Sequence, residues 1–280
     1  MAFFFTGDIM KKIIFSAFML MGFASILMGC KEKEAPLPEY VKQTMNLVWS
    51  DEFDYEGKPD DSKWNYSIGN LNGWGNGEIQ KYTDKSENVN VHNGVCTITA
   101  LREGKSNRWT SARIKTEHKG KWTGGYIEVR ANLPEGVGTW PAIWMMPEAN
   151  RYGQWPRSGE IDIMEHVGFD KERVHATIHT KSFNHKIGTQ KTRSDILKGA
   201  TKGFHTYAVY WTQDVIRWVY DGETFYEFQN TGNGWEEWPF DHPFYLILNI
   251  AIGGTWGGQQ GIDKELKKAT MDIDFVRVYQ

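Results

Sequence analysis

The sequence predicts an all-β domain, a sandwich of two stacked antiparallel sheets, one of them concave enough to bear a ligand. Three observations carry that expectation. Apolar and polar residues alternate over short runs along most of the chain, which is the period of a half-buried strand. Turn signals interrupt those runs every ~8–12 residues, as in a sandwich and unlike alternating β/α units. No stretch sustains a 3.6-residue apolar period, and the best helical candidate is one short turn around Asp263 to Lys268.

Taken in order, Asn46 to Phe53 opens the domain, and Val89 to Leu101 reads as a hairpin turning at Asn93-Gly94. Ser111 to Thr116 and Gly125 to Leu133 alternate similarly and are joined by a glycine-containing link. Thr139 to Met146, Gly159 to Val167 and Arg173 to Thr180 follow. Phe204 to Trp211, Val215 to Tyr220 and Glu223 to Gln229 form a meander whose second turn is Asp221-Gly222. Phe244 to Ile252 and Met271 to Tyr279 close the chain. No internal repeat is present, and no linker follows Pro38.

Hydrophobic residues make up 40% of 280, ample for a packed core. The 13 Trp, 12 Tyr and 15 Phe exceed what packing normally asks for. A net charge of -3 argues against a nucleic-acid partner, since neutralising phosphates needs a basic surface. At the N-terminus Lys11-Lys12 form a basic segment, and Ile13 to Leu27 an apolar run too short for a comfortable membrane span. Met10 suits that signal better than Met1 as a start. Leu27-Met28-Gly29-Cys30 resembles the lipobox of bacterial lipoproteins, with Met28 a departure from its commonest residue. The resemblance implies cleavage before Cys30 and a diacylglyceryl anchor on its sulfur, holding the protein to the bacterial envelope at the outer membrane. An ordinary secretory signal with a chance cysteine is the alternative. The chain then divides into a signal peptide (1–29), an anchor and solvated tether (30–44) and a single domain (45–280). Only Cys96 remains in the mature chain, so no intrachain disulfide is available. The protein is expected to act as a monomer.

Gly159-Glu160-Ile161-Asp162-Ile163-Met164-Glu165 holds three carboxylates within six residues. On a strand, Ile161 and Ile163 face a core while Glu160 and Asp162 face away. Glu165 would then point inward, unless a β-bulge near Ile163-Met164 swings it back to the face of the other two. Like charges raise one another's pKa, so lining up three acids is costly and suggests function. A solvated acidic edge strand is the bland alternative. With about four effective strand steps, Glu160 and Glu165 lie ~13 Å apart at Cα. Side chains leaning together bring that down to the ~5–5.5 Å between carboxyls of a retaining glycosidase. One Glu attacks the anomeric carbon while the other protonates the leaving oxygen. Asp162 between them can orient the nucleophile and keep its partner protonated. A metal site is a weaker reading, because no ligand cluster accompanies the acids. His175 and His179 are four apart on a strand, far from helical ligand spacing, and His179 is read as a polar wall of the site.

Sugar rings stack on aromatic faces, which gives the tryptophans a second reading beside core packing. Trp140 and Trp144 flank Pro141-Ala142-Ile143 just before the acidic strand, and Trp155 lies five residues before Glu160. Trp256 sits among glycines, where a large ring has little to bury against. Trp49, Trp64, Trp211 and Trp218 are assigned to the core.

The run Trp155-Pro156-Arg157-Ser158-Gly159-Glu160-Ile161-Asp162-Ile163-Met164-Glu165-His166-Val167-Gly168 resembles the active-site signature of glycoside hydrolase family 16, in its laminarinase-like branch. Leu47 to Phe53, Gly73-Trp74-Gly75-Asn76, Thr110 to Ile114, Trp140 to Trp144, Leu248 to Gly254 and Asp274 to Tyr279 match the same family. The resemblance implies a β-jelly-roll sandwich with a concave substrate cleft and a retaining endo-glycanase mechanism. Glu160 would be nucleophile, Asp162 its helper and Glu165 the general acid/base. The two-residue gap at Ile163-Met164 implies the bulged group, which takes β-1,3-glucans and often mixed-linkage β-1,3-1,4-glucans, and also contains agarases and carrageenases. Asn70, Arg113 and His179 are expected to bind substrate beside Trp140, Trp144, Trp155 and Trp256. No cofactor is implied for catalysis. The family often carries a structural calcium on the convex side, here through carbonyl oxygens of Glu52 and Gly94 and through Asp274. His166 replaces a common Tyr or Phe and is expected to point across the sheet. The expected cleft segments are dominated by Trp and Gly, with Arg113 and Arg157 the nearest cations, which favours a neutral glucan over a sulfated galactan. A glycan-binding protein with a dead site would have no need of both Glu160 and Glu165.

Overall fold

The computed structural model describes residues 34–104 and 106–280. The expected export segment, 1–29, and the lipidation site Cys30 lie outside the described residues. The chain begins with α1 (Glu39–Thr44) and β1 (Leu47–Asp51), then β2 (Asn65–Tyr66), β3 (Gln80–Tyr82), β4 (Val89–His92) and β5 (Val95–Arg102). It continues through β6 (Trp109–Ser111), β7 (Arg113–Lys115), β8 (Gly125–Asn132), β9 (Thr139–Pro147), β10 (Glu160–His166) and β11 (Arg173–His179). The last third holds β12 (Lys191–Ile196), β13 (His205–Trp211), β14 (Val215–Tyr220), β15 (Glu223–Gln229), β16 (Phe244–Ile252) and β17 (Lys268–Tyr279).

These strands form two sheets. One runs β15-β14-β13-β8-β17-β5-β6-β3, with β1 joined to β17 and β4 to β5; the other runs β12-β11-β10-β9-β16-β7-β2. The pairing is antiparallel as expected, except that the short β3 lies parallel to β6. Both two-residue turns read from the sequence form. Asn93-Gly94 and Asp221-Gly222 take positive φ at both central residues, the twist that matches antiparallel strands.

The core lies between the sheets, where inward residues from both sides interdigitate. Trp64, Trp211 and Trp218 are buried there as assigned, with Trp49 half-buried at its margin against Trp64 and Trp122. β16 is buried along its whole length, because the core covers one face and the cleft floor the other. β9 lies between that strand and β10, and so fixes where β10 runs.

Three expectations need correction. Residues from Glu34 onward belong to the compact body, so the tether does not extend to residue 44. Val41 of α1 is fully buried against Tyr126, Ala208 and Val219, and Tyr40 sets its ring edge-on to Tyr210 at 5.0 Å. The segment is too short to show helical periodicity, and tertiary burial holds it. Asp263 to Lys268 is a bend closed by Leu266 N–H to Asp263 O at 3.2 Å, and Lys268 already begins β17. β12 (KTRSDI) has no counterpart among the strands that the sequence predicts. It lies at the sheet edge with four of six residues exposed, so it has no apolar alternation to detect.

Docking of α1 can be tested with Val41→Ala. Losing two buried methyls should cost about 1.5 kcal/mol of stability, read as a lower Tm with unchanged turnover. An unchanged Tm would return this segment to the tether.

Candidate active site

β10 carries the acids, and its irregularity decides where they point. Against β11, Asp162 lies opposite Thr177 and Glu165 opposite His175, three steps matched by two. Against β9, Asp162 faces Trp144 and Met164 faces Ile143, two steps matched by one. The bulge expected at Ile163-Met164 is therefore present. Ile161, Ile163 and Met164 are all fully buried in the core, and Glu160, Asp162 and Glu165 leave the opposite face. Gly159 makes the entry possible. Its φ is +89°, and a Cβ there would lie 3.0 Å from the Phe244 ring.

Each outer acid has an indole donor. Trp155 Nε1–H donates to Glu160 Oε2 at 2.6 Å, and Trp140 Nε1–H donates to Glu165 Oε1 at 3.0 Å. His179, across the ladder from Glu160, brings Nε2 to 3.4 Å from Asp162 Oδ2 and 3.8 Å from Glu160 Oε1. The acids are largely out of water. Burial, reinforced by the Asp162 charge, pushes Glu160 up to about 8. Burial pushes Glu165 up to about 7 against the Trp140 bond, which favours its ionised form. Asp162 is raised well above its usual range by burial and then by the Glu165 charge. The trio therefore retains protons at neutral pH that exposed carboxylates would lose. His179 and Trp155 both favour the ionised form of Glu160.

Ligand atoms of Glu160, Asp162 and His179 lie within 4.8 Å of one another, near enough for a cation. Three donors, with Trp155 already on Glu160, fall short of the six to eight oxygens calcium takes. A pair of buried acids with a histidine beside them describes them better.

Cavities of about 440 Å³ each open on both sides of the trio. The one beside Glu160 is walled by Trp74, Arg113, Trp144 and Trp155. Arg113 lies between indoles, 5.0 Å from the Trp74 ring and 4.6 Å from the Trp144 ring. Trp144 is itself fixed by donating to Asn249 Oδ1 at 2.8 Å. The cavity beside Glu165 is walled by Trp140, His175, His179 and Trp256. Trp256 stands edge-on to Trp140 at 5.3 Å and to His175 at 4.8 Å. Six of the seven expected substrate-binding residues thus meet in one cleft.

Asn70 does not join them. Its amide donates to the carbonyls of Glu78 and Gln80 and accepts from Gly73 N–H, bracing the loop before β3. His166 points into the sandwich as expected, fully buried, with Nδ1 at 2.8 Å from Arg173 O. The residues suggested for calcium fit a cation poorly. Asp274 Oδ2 takes the Arg130 guanidinium at 2.7 Å, both side chains almost fully buried, and the Glu52 carboxylate holds Arg277. A guanidinium beside the only carboxylate of the set already neutralises it.

The sequence reading missed His175 and His185. His175 shares the outer face of β11 with His179, and its period-2 spacing was the signal available. His185 lines both cavities from a 3₁₀ turn after β11, at 5.1 Å from the rings of Trp155 and His179. A loop residue of that kind has no periodic signature.

Comparison with known proteins agrees with this geometry. Residues 74–277 match the model of Glycosyl hydrolases family 16. The chain is 49% identical over 269 residues to a β-glucanase of Rhodothermus marinus, covering 91% of this chain and 92% of that one. The solved laminarinase of that organism superposes with a TM-score of 0.81 at 51% identity, over 84% of this chain and 97% of the other. A laminarinase from Flavobacterium sp. UMI-01 superposes at 0.78 with 39% identity, over 84% of this chain and 100% of the other. The bulged acid strand, the two-sheet jelly roll around it and these likenesses agree: the chain belongs to glycosyl hydrolase family 16.

Proposed function

We propose that this enzyme is a retaining endo-hydrolase of β-1,3-glucan and mixed-linkage β-1,3-1,4-glucan, of the laminarin, lichenan or cereal type. The observation that carries the reading is the bulge in β10, which lines up Glu160, Asp162 and Glu165 between indole walls. Glu160 attacks the anomeric carbon while Glu165 protonates the departing glycosidic oxygen. Glu165 then takes a proton from the water that cleaves the glycosyl-enzyme. Asp162 shares a hydrogen bond with Glu160 and holds it in place. Trp140 and Trp155 fix the directions of the two outer carboxylates, so little reorganisation is needed as charge shifts between them.

A neutral glucan suits the walls. Arg113 lies against two indoles and Lys186 sits 4.8 Å from the Trp155 ring, so the nearby cations face aromatic rings. No comparable feature favours a sulfated galactan or a non-catalytic binding role. The lipobox-like Leu27 to Cys30 supports a protein anchored by Cys30 in the outer membrane, meeting polysaccharide as a monomer without a catalytic cofactor. Product profiles on laminarin, lichenan, barley glucan, agarose and carrageenan test the substrate class. Cleavage confined to the galactans would overturn it.

The roles of the two glutamates are separable. Glu160→Gln should abolish hydrolysis while oligosaccharide binding and Tm persist, and retained turnover would remove Glu160 as nucleophile. On an aryl glycoside whose leaving group needs no protonation, Glu165→Ala should regain activity with azide, which attacks the glycosyl-enzyme without base assistance. Absence of azide rescue would count against Glu165.

Dependence on pH follows from burial. Glu165 must be protonated, so activity falls as pH rises through its pKa, and Glu160 must be ionised, so activity falls as pH drops. With the two raised to about 7 and about 8 and sharing protons, both limbs of kcat/KM should lie above the usual carboxylate range. Limbs at ordinary carboxylate values would show that the trio is better hydrated than this structure has it.

A further inference from the structure

The bulge that aims Glu165 is also the weakest place in its strand. An extra residue interrupts the ladder, and a slip of one residue would turn Glu165 into the core. Two donors from the facing sheet meet the backbone at this place. Trp218 Nε1–H donates to Asp162 O at 2.8 Å, and the Tyr220 hydroxyl donates to Ile163 O at 2.6 Å. Both residues sit on β14, two apart and therefore on one face, and both are buried. The Tyr220 oxygen also lies 3.5 Å from His175 O, which ties the bulge to the neighbouring β11.

The donors are held firmly. Trp218 packs on Tyr226 with ring centroids 5.2 Å apart, and Tyr220 lies stacked on Phe225 at 4.3 Å and edge-on to Tyr207 at 5.3 Å. At Tyr220 the core does not require a polar atom, since a phenyl ring would occupy the same place. Nor does a buried hydroxyl in this region find a carbonyl automatically. That of Tyr207, beside Tyr220, has no hydrogen-bond partner among the described residues.

We infer that Trp218 and Tyr220 are positioning residues, which pin the register of the β10 bulge from the core side and so hold Glu165 in the cleft. The inference rests on the acid/base reading of Glu165. It assigns to two residues of the opposite sheet, neither reaching the cleft, a part in the rate of the chemical step.

Trp218→Phe and Tyr220→Phe test it, measured on laminarin beside Tyr207→Phe, Glu165→Ala and the unmodified enzyme, with Tm recorded for each. Tyr220→Phe removes one oxygen and keeps the ring, so it remains informative where Trp218→Phe does not fold. Its kcat should fall about tenfold to a hundredfold, the scale expected when a reacting group is misplaced by about 1 Å. KM should stay within about twofold, since ground-state binding is untouched, and the alkaline limb of the kcat–pH profile should move. Tyr207→Phe should retain the unmodified kcat and profile. Tyr220→Phe and Trp218→Phe enzymes that melt lower but keep kcat and the alkaline limb would overturn the inference alone, provided Glu165→Ala is inactive. A Glu165→Ala enzyme with full kcat would instead overturn the acid/base reading, and this inference with it.

Discussion

The cleft depends on holding three carboxylates out of water on one face of a strand whose other face is core. Exposed, Glu160, Asp162 and Glu165 would ionise and repel one another; buried, they share protons and resist ionisation. The surrounding structure answers that cost with polar groups aimed at the acids. Trp155 and Trp140 donate to the outer acids from the segments before β10, and the His179 imidazole comes within 3.4 Å of the middle one from β11. Each of these groups comes from a different element, so the sandwich must be assembled before the acids are stable where they are. Site and fold are therefore not independent.

Much of this was readable from residue order. Ile161 and Ile163 mark the inward face, and the two-residue gap before Glu165 calls for one extra residue if the third acid is to share the cleft. The structure has that residue where the gap demands it. The two turns with glycine second were readable because only a few residue types accept positive φ at both positions. Trp140, Trp144, Trp155 and Trp256 were placed by chemistry and by chain neighbours, and all four line the cavities.

What escaped has a common cause: it depends on partners far away in sequence. α1 is a helix because Val41 finds Tyr126, Ala208 and Val219. Asn70 looked like a cleft residue until the loop carbonyls of Glu78 and Gln80 claimed its amide. His185 enters the cleft through a loop that no period describes. Trp218 was assigned correctly to the core by its strand context, yet its indole N–H meets a carbonyl 56 residues away, a link invisible to local pattern.

The edges of the two sheets have a consequence of their own. An open edge offers unpaired N–H and C=O groups to any passing strand, and crowding makes such encounters frequent. Here β2 and β3 end their sheets with only two and three residues, too few to template a stable pairing. Two longer edges are charged: β12 presents Lys191, Arg193 and Asp195, and β15 presents Glu223 and Glu227. A second copy approaching edge-on at β12 or β15 would have to desolvate those charges before forming one hydrogen bond. The polarity that hides β12 from strand prediction is thus the same feature that opposes edge-to-edge pairing at that strand.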